Sequence, residues 1–466
     1  MTPQSANDIH SQLNATQVAD VLEPENLDEL VRIVKAARAS GAQLSIAGGR
    51  HAMGGQQFGT GTWLVDMRRY SRIRGLDAER GLLTADAGIL WPELIDGGAA
   101  LQPAEGFTWG IRQKQTGADR LTLGGALSAN IHGRGLRMPP IIGDVESFLL
   151  VDSAGEIRKC SRSENQELFS LAIGGYGLFG IITEVELRLM PRVQVERRVE
   201  IITLEELVRV PEERDTREWL FGDFQYAIDE RSLDYLQKGV FSAYHCVPGD
   251  PLPIPEQREL REDDWARLLH LAHSDRSQVF EEYAAYYLST NGQRYWSDTH
   301  QLGTYLDGYH DELDRLLSSP HRCSEMITEI YVPRASLAEF MKQAAQQQRD
   351  SGCPIIYGTI RLIERDEESF LAWAREPWAC IIFNLCVSHS PNGLEDAKQA
   401  FRGLIDLAIT FGGSYYLTYH RWATPAQVEA CHPRFREFLR LKTVYDPQER
   451  FTSEWYRHYR DLFAGE

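Results

Sequence analysis

The spacing of apolar side chains divides the chain into elements before any residue chemistry is weighed. Leu27, Leu30, Val31 and Val34 recur at helical intervals. Asn26 stands ahead of them as a cap with Glu29 three residues on, and Gly41 stops the run, which predicts a helix over 26–41. Short apolar runs predict strands over 44–46, 63–67 and 82–89, and WPEL (91–94) opens a second helix. Segments 145–152 and 156–160, parted by Ser153-Ala154-Gly155, predict a hairpin. A helix over 164–173 leads into GGYGLFG (174–180). From 182 to 189 the alternation is clean, with Val185, Leu187 and Leu189 on one face and Glu184, Glu186 and Arg188 on the other; Pro191 closes the strand.

Beyond 192 the pattern loosens. Residues 205–264 are acidic and polar, and PGDPLPIPE (248–256) reads as a loop. Helices are expected over 264–290 and strands over 327–332, 355–362 and 380–387. An amphipathic helix is expected over 394–411, ended by Gly412-Gly413, and the close from 425 to 466 is helical and aromatic. These shifts divide the chain into 1–192, 193–424 and a tail, 425–466, expected to return to the first unit.

Composition narrows the function classes. Of 466 residues, 43% are hydrophobic and 25% charged, an ordinary globular balance for two or three domains. Lys+Arg number 49 and Asp+Glu 67, so the net charge of −18 argues against nucleic acid or an anionic membrane as partner. No apolar run has the length to span a bilayer, and MTPQSANDIH lacks the basic and apolar regions of a signal peptide, so a cytoplasmic protein is expected. Seven cysteines, an odd count without C-x-x-C, suggest reduced thiols rather than disulfides or a zinc site. His270 and His273 read as a surface pair without a third ligand, so no metal is expected.

The chemistry sits in three Gly-rich segments, 48–55, 117–133 and 174–180, each beside an expected strand. Gly175-Tyr-Gly177-Leu-Phe-Gly180 has the spacing of a dinucleotide fingerprint, but a helix precedes it and a strand follows, the reverse of what that motif requires. Its glycines instead mark close backbone approach. Taken together, three loops whose N–H groups can converge on an anion point to a dinucleotide pyrophosphate.

AGGRHAMGGQ (47–56), LTLGGALSANIHG (121–133) and AIGGYGLFGIITEVELRL (172–189) together resemble the FAD-linked oxidases of the vanillyl-alcohol-oxidase type, over 20–190 and more weakly over 325–460. The resemblance implies an α+β fold: a PCMH-type FAD-binding domain of two subdomains, and a cap domain whose antiparallel sheet covers the flavin ring. It implies FAD contacts at Gly48, Gly49, Arg50, His51, Ala52, Met53, Gln56, Gly117, Thr122, Gly124, Gly125, Ser128, His132, Gly133, Ile182 and Tyr416, with a covalent link from His51 to the flavin. Two branches compete. Thr122, Gly124, Gly125, Ala126, His132, Gly133 and Asn384-Leu-Cys386 are similar to decaprenylphosphoryl-ribose oxidases, as are Gly412, Gly413, Tyr416, Pro433 and Arg434. Tyr419 replaces their lysine, and Glu329 stands where they have a glutamine. Alditol and aldonolactone oxidases share the loop histidine and the arginine at 361. Either branch implies hydride transfer from a C–OH carbon of a sugar, polyol or similar small alcohol, with electrons passed to O2 or another acceptor. Candidates for the reacting centre are His132, Arg361, Asn384, Cys386, Tyr419 and His420, the base being His132, Tyr419 or His420. A flavin-linked C=C reductase and a flavin-binding protein without turnover are the alternatives.

Overall fold

The computed structural model describes residues 3–464 apart from 104, 105, 107, 214, 215, 250, 304 and 307. The helix expected at the start spans Leu27–Ser40, with the Asn26 side chain accepting from the Glu29 N–H and Gly41 at φ 77° as its stop. Its stripe of Leu30, Val34 and Ala37 packs on Leu44 and Val65. Those two belong to a parallel sheet in which Trp63–Asp66 lies between Asp20–Leu22 and Leu44–Ala47.

A six-stranded sheet follows. Its path runs Ile157–Ser161, Val145–Val151, Ile181–Pro191, Leu82–Asp86, Ile73–Asp77, and Trp109–Ile111 adds to the end of Ile181–Pro191. The strand Ile181–Pro191 buries Val185 and Leu187 while Glu184 and Glu186 stay half-exposed, as the period-two alternation requires. Helices Leu123–Ala129 and Gln166–Ala172 share the core of this sheet.

The chain then builds an eight-stranded sheet. In spatial order its strands are Arg294–Trp296, Gln194–Thr203, Lys238–Cys246, Trp219–Tyr226, Ile355–Ile363, Trp378–Ser388, Cys323–Pro333 and Ser414–Tyr415, every pairing antiparallel. Leu337–Arg349 and Pro391–Thr410 pack on one face. The other face turns toward the Gly-rich segments. Two of its strands, Trp219–Tyr226 and Lys238–Cys246, lie inside the stretch 205–264 that the sequence presents as acidic and polar, and Gln194–Thr203 just precedes it. Asp223, Gln225 and Ser242 interrupt the apolar pattern there because their face of the sheet is polar.

The tail meets the first residues of the fold. Phe451 bridges Leu44 in parallel, the Arg450 guanidinium donates to the Ala37 carbonyl at 3.0 Å, and the Glu454 N–H donates to the Phe58 carbonyl at 2.7 Å. Among the described residues no helix is long and apolar enough to cross a membrane.

Candidate active site

A cavity with about 1680 Å³ of atom-free space, its open mouth included, lies between the three Gly-rich segments and the near face of the eight-stranded sheet. Glycine is needed where segments press together. A Cβ on Gly48 would sit 2.0 Å from Thr122 Oγ1, and one on Gly49 2.1 Å from the Arg120 carbonyl oxygen. Thr122 in turn accepts from the Gly125 N–H at 3.2 Å. Gly177 and Gly180, both lining the cavity, have φ of 74° and 148°. The loop carrying Arg50 is anchored by its guanidinium, 2.8 Å from Asp66 Oδ2, and Gln56 Nε2 donates to the Thr418 carbonyl at 2.7 Å. Among the described residues the N–H groups of Gly49, Arg50, Ala52 and Met53 meet no acceptor of the chain. A row of open amides beside small residues suits the pyrophosphate of a dinucleotide.

Most of the positions expected to contact FAD come together on this cavity. Gly48, Gly49, Arg50, His51, Ala52, Met53, Gln56, Gly117, Thr122, Gly124, Gly125, Ser128, His132, Ile182 and Tyr416 all line it. Gly133 does not: its N–H is bonded to Gln113 Oε1 at 3.1 Å, and a Cβ there would meet the Lys114 carbonyl at 2.9 Å. It packs one segment on another behind the wall. His51 sits beside His10, whose Nε2 is 2.8 Å from His51 Nδ1, and the Tyr305 ring stands edge-on to both. Burial and the neighbouring His51 push His10 well below the ordinary histidine range, so it is neutral.

Of the residues expected at the reacting centre, three line the cavity: His132, Arg361 and Tyr419. They meet at Glu329. Tyr419 donates to Glu329 Oε1 at 2.8 Å, Tyr331 donates to Oε2 at 2.9 Å, and His132 Nε2 is 3.0 Å from Oε2. His132 bridges two acceptors, with Nδ1 2.9 Å from the Gly133 carbonyl and Nε2 3.0 Å from Glu329. Burial pushes the Glu329 carboxyl up, but the His132 ring and the Tyr419 hydroxyl outweigh it and hold it below the usual carboxylate range. Burial and Glu329 push Tyr419 well above the ordinary phenol, so it stays a donor. Arg361 donates to Thr116 Oγ1 at 2.8 Å. Ligand atoms of His132, Glu329 and Cys380 lie within 4.8 Å of one another. With the Tyr331 and Tyr419 hydroxyls and the Cys380 thiol already directed at the carboxylate, that trio is wired as a proton network rather than a metal cage.

The other three expected residues lie elsewhere. His420 is on the far side of the strand Cys323–Pro333, 3.4 Å from Thr328 Oγ1 and packed among Phe401, Tyr415 and Trp422. Burial pushes it down to about 3, so it is a neutral core histidine. Asn384 and Cys386 share the near face with Ile382, which lines the cavity, but each two-residue step moves a side chain about 7 Å along the strand. Asn384 thereby meets Glu325, donating at 2.6 Å, and Cys386 lies opposite Glu325. Glu329 and Tyr357, which do line the cavity, were not singled out for chemistry by sequence reasoning. The signal for Glu329 is a lone carboxylate inside the apolar run Ile327–Val332, which only a buried partner set can stabilise.

Comparison with known proteins points to the same cofactor. Residues 18–161 match the FAD binding domain family. The L-gulono-1,4-lactone dehydrogenase of Mycobacterium tuberculosis is 20% identical over 448 residues, 94% of this chain and 95% of that protein. An uncharacterized oxidoreductase of the fasciation locus of Rhodococcoides fascians is 28% identical over 169 residues, 36% of this chain and 37% of its own length. The mitochondrial L-galactono-1,4-lactone dehydrogenase of Arabidopsis thaliana is 28% identical over 195 residues, 41% of this chain and 30% of the relative. With an FAD binding domain over 18–161, a cavity walled by its Gly-rich loops, and relatives named as lactone dehydrogenases, the chain is an FAD-dependent oxidoreductase similar to the FAD-linked oxidases and dehydrogenases.

Proposed function

We propose that the protein oxidises a C–OH carbon of a sugar, polyol or related hydroxylated molecule and passes the electrons to O2 or another acceptor. The division of labour follows the proposed units: 1–192 and 425–466 hold FAD, and 193–424 presents the substrate side. The observation that carries this reading is Glu329. It is a buried, ionised carboxylate that reaches the cavity wall, held by His132, Tyr331, Tyr419 and the Cys380 thiol.

Flavin bound in the cradle supplies a hydride acceptor. The rest falls to the chain. Glu329 accepts the substrate hydroxyl proton: Tyr331, His132 and the Cys380 thiol meet Oε2, whereas Tyr419 alone meets Oε1, which keeps acceptor capacity on that oxygen. The buried contact with His132 keeps it ionised for that task. Tyr419 fixes the carboxylate orientation from the cavity side. The Arg361 guanidinium, tied to Thr116, lies on the same wall and offers positive charge to a forming alkoxide. His51 is the proposed point of covalent attachment, and the cytoplasm, where the seven thiols stay reduced, is the proposed compartment.

Anaerobic addition of sugars, sugar alcohols and aldonolactones to the holoprotein should bleach the visible flavin band with at least one of them. Bleaching by none, together with consumption of an activated alkene by the reduced protein, would assign C=C reduction instead. Acid precipitation reads the covalent link. A yellow pellet that turns colourless in His51→Ala supports it, and a colourless wild-type pellet refutes it.

A further inference from the structure

Polar side chains on the near face of the eight-stranded sheet continue well past Glu329. Register sets Glu329, Ile382, Thr359 and Gln225 side by side on four successive strands. At about 4.8 Å per strand the row is about 14 Å long. Arg361 and Tyr357 flank Thr359 on the same face, and both line the cavity. Gln225 Nε2 donates to the Tyr357 hydroxyl at 2.7 Å. Asp223, two residues from Gln225, holds its carboxylate 3.8 Å from the Arg134 guanidinium, beyond hydrogen-bond reach. Desolvation pushes the Tyr357 hydroxyl up to about 12, with the charge of Asp223 adding to it and Arg361 and Arg134 opposing it.

This strip has hydrogen-bonding capacity that the chain does not use. Thr359 Oγ1, Gln225 Oε1, Asp223 Oδ1 and the Nε atoms of Arg361 and Arg134 have no hydrogen-bond partner among the described residues. Thr359 has no exposed surface, and Arg361 is 8% exposed. Buried polar atoms without partners destabilise a fold, so such a concentration is expected where a ligand completes the set. The set is two acceptors, two donors and one hydroxyl, interleaved within one strip. An anion would be repelled by Asp223, a cation by the two guanidinium groups, and an alkyl chain would leave every atom unsatisfied. Hydroxyl groups, which donate and accept, match it.

We infer that the strip from Arg361 to Asp223 is a second subsite, and that the substrate is a neutral, hydroxyl-rich molecule of at least two sugar units, such as a disaccharide or a glycosylated polyol. Its near end is oxidised beside Glu329 and its far unit is held by Thr359, Gln225 and Asp223. A single hexose covers less than half of the row. The inference rests on the proposed reaction for the position of the near end.

The test compares one-unit and two-unit probes on the holoprotein: sorbitol with maltitol, galactitol with lactitol, and glucose with cellobiose. Anaerobic flavin reduction gives a rate over concentration for each, and calorimetry gives binding. At least one two-unit probe should exceed its one-unit counterpart by about tenfold. Gln225→Leu and Thr359→Val should each lower that ratio by about three- to tenfold, the effect of one hydrogen bond, at unchanged flavin content. Ratios near one for every pair, or a ratio indifferent to both variants, overturn the subsite while bleaching by one-unit probes leaves the reaction standing. Two-unit binding that both variants weaken, without any bleaching, upholds the subsite and rejects the reaction. Absence of both binding and bleaching rejects both.

Discussion

Glu325 and Glu329 lie four residues apart on one strand and face the same side of the same sheet. Both are buried, at 8% and 3% exposure. Each has a histidine at hydrogen-bond distance, His273 at 3.2 Å from Glu325 and His132 at 3.0 Å from Glu329. For each, burial pushes the carboxyl up, and the histidine and a tyrosine hydroxyl more than offset it, so both are held below the usual carboxylate range. Only Glu329 lines the cavity. Glu325 is closed in by His273, Asn384 and Tyr309. Burial and hydrogen bonds therefore set the ionisation of a carboxylate, and access decides whether that ionisation reaches a substrate. A perturbed titration is common to both sites and marks neither as catalytic on its own.

The comparison predicts opposite phenotypes. Glu329→Gln should slow anaerobic flavin reduction by about 10²–10⁴-fold with FAD retained, the usual contribution of a positioned proton acceptor. Glu325→Gln should leave that rate within a few-fold. Equal losses in the two variants would show that the network as a whole, and not access, carries the chemistry.

Stability should read the other way. Glu325→Ala strands the Asn384 amide and the His273 ring without their acceptor. Chemical denaturation should show a loss of about 1–3 kcal/mol. No loss would mean that water replaces the carboxylate, and that the Glu325 pocket is as open as the one at Glu329.

Acid should act first through the histidines. His420, held down to about 3, is depressed below its unfolded value near 6.5, so its contribution is fully present above about pH 6.5 and is lost as pH falls toward 3. The two glutamates contribute above about pH 4.5 and lose that contribution only as pH falls through their depressed values. His420→Phe should therefore flatten the fall in stability between pH 6.5 and 5 by about 1.4 kcal/mol per pH unit, with flavin reduction unaffected at neutral pH. A rate loss would return His420 to the reacting centre.

The smallest effect is expected at Tyr419. Removing the donor to Glu329 Oε1 in Tyr419→Phe should slow flavin reduction up to about tenfold and move its acid limb to higher pH, since the carboxylate loses a bond that favours its charge. An unmoved limb would detach Tyr419 from the carboxylate.

The Gly-rich wall was legible because close approach demands glycine whatever the partner is. Gly48 and Gly49 touch Thr122 and Arg120, far away in the chain, yet the requirement is written at 48 and 49 themselves. The sheet wall was not legible in the same way. Which residues of 378–388 reach the cavity depends on pairing with 323–333 and 355–363, and a motif match placed the site at Asn384 and Cys386, one and two steps beyond Ile382. His420 follows Tyr419 in sequence, but the chain turns there and carries the two side chains to opposite sides of a strand. Gln225 and Asp223 sit in a segment that the sequence presents only as acidic and polar, because nothing local records which sheet face its residues will share.

The pH dependence of the anaerobic flavin-reduction rate, measured for the wild type and for Glu329→Gln with the same sugar alcohol, decides whether Glu329 is the proton acceptor. Glu329 is held below its ordinary value near 4.5, so the wild-type rate should be level through neutral pH and fall only on the acid side as that carboxylate takes up its proton. The variant should be slow throughout and lack that acid limb. A variant that keeps both the wild-type rate and the wild-type limb would contradict the account, and would place the proton acceptor on a group other than Glu329.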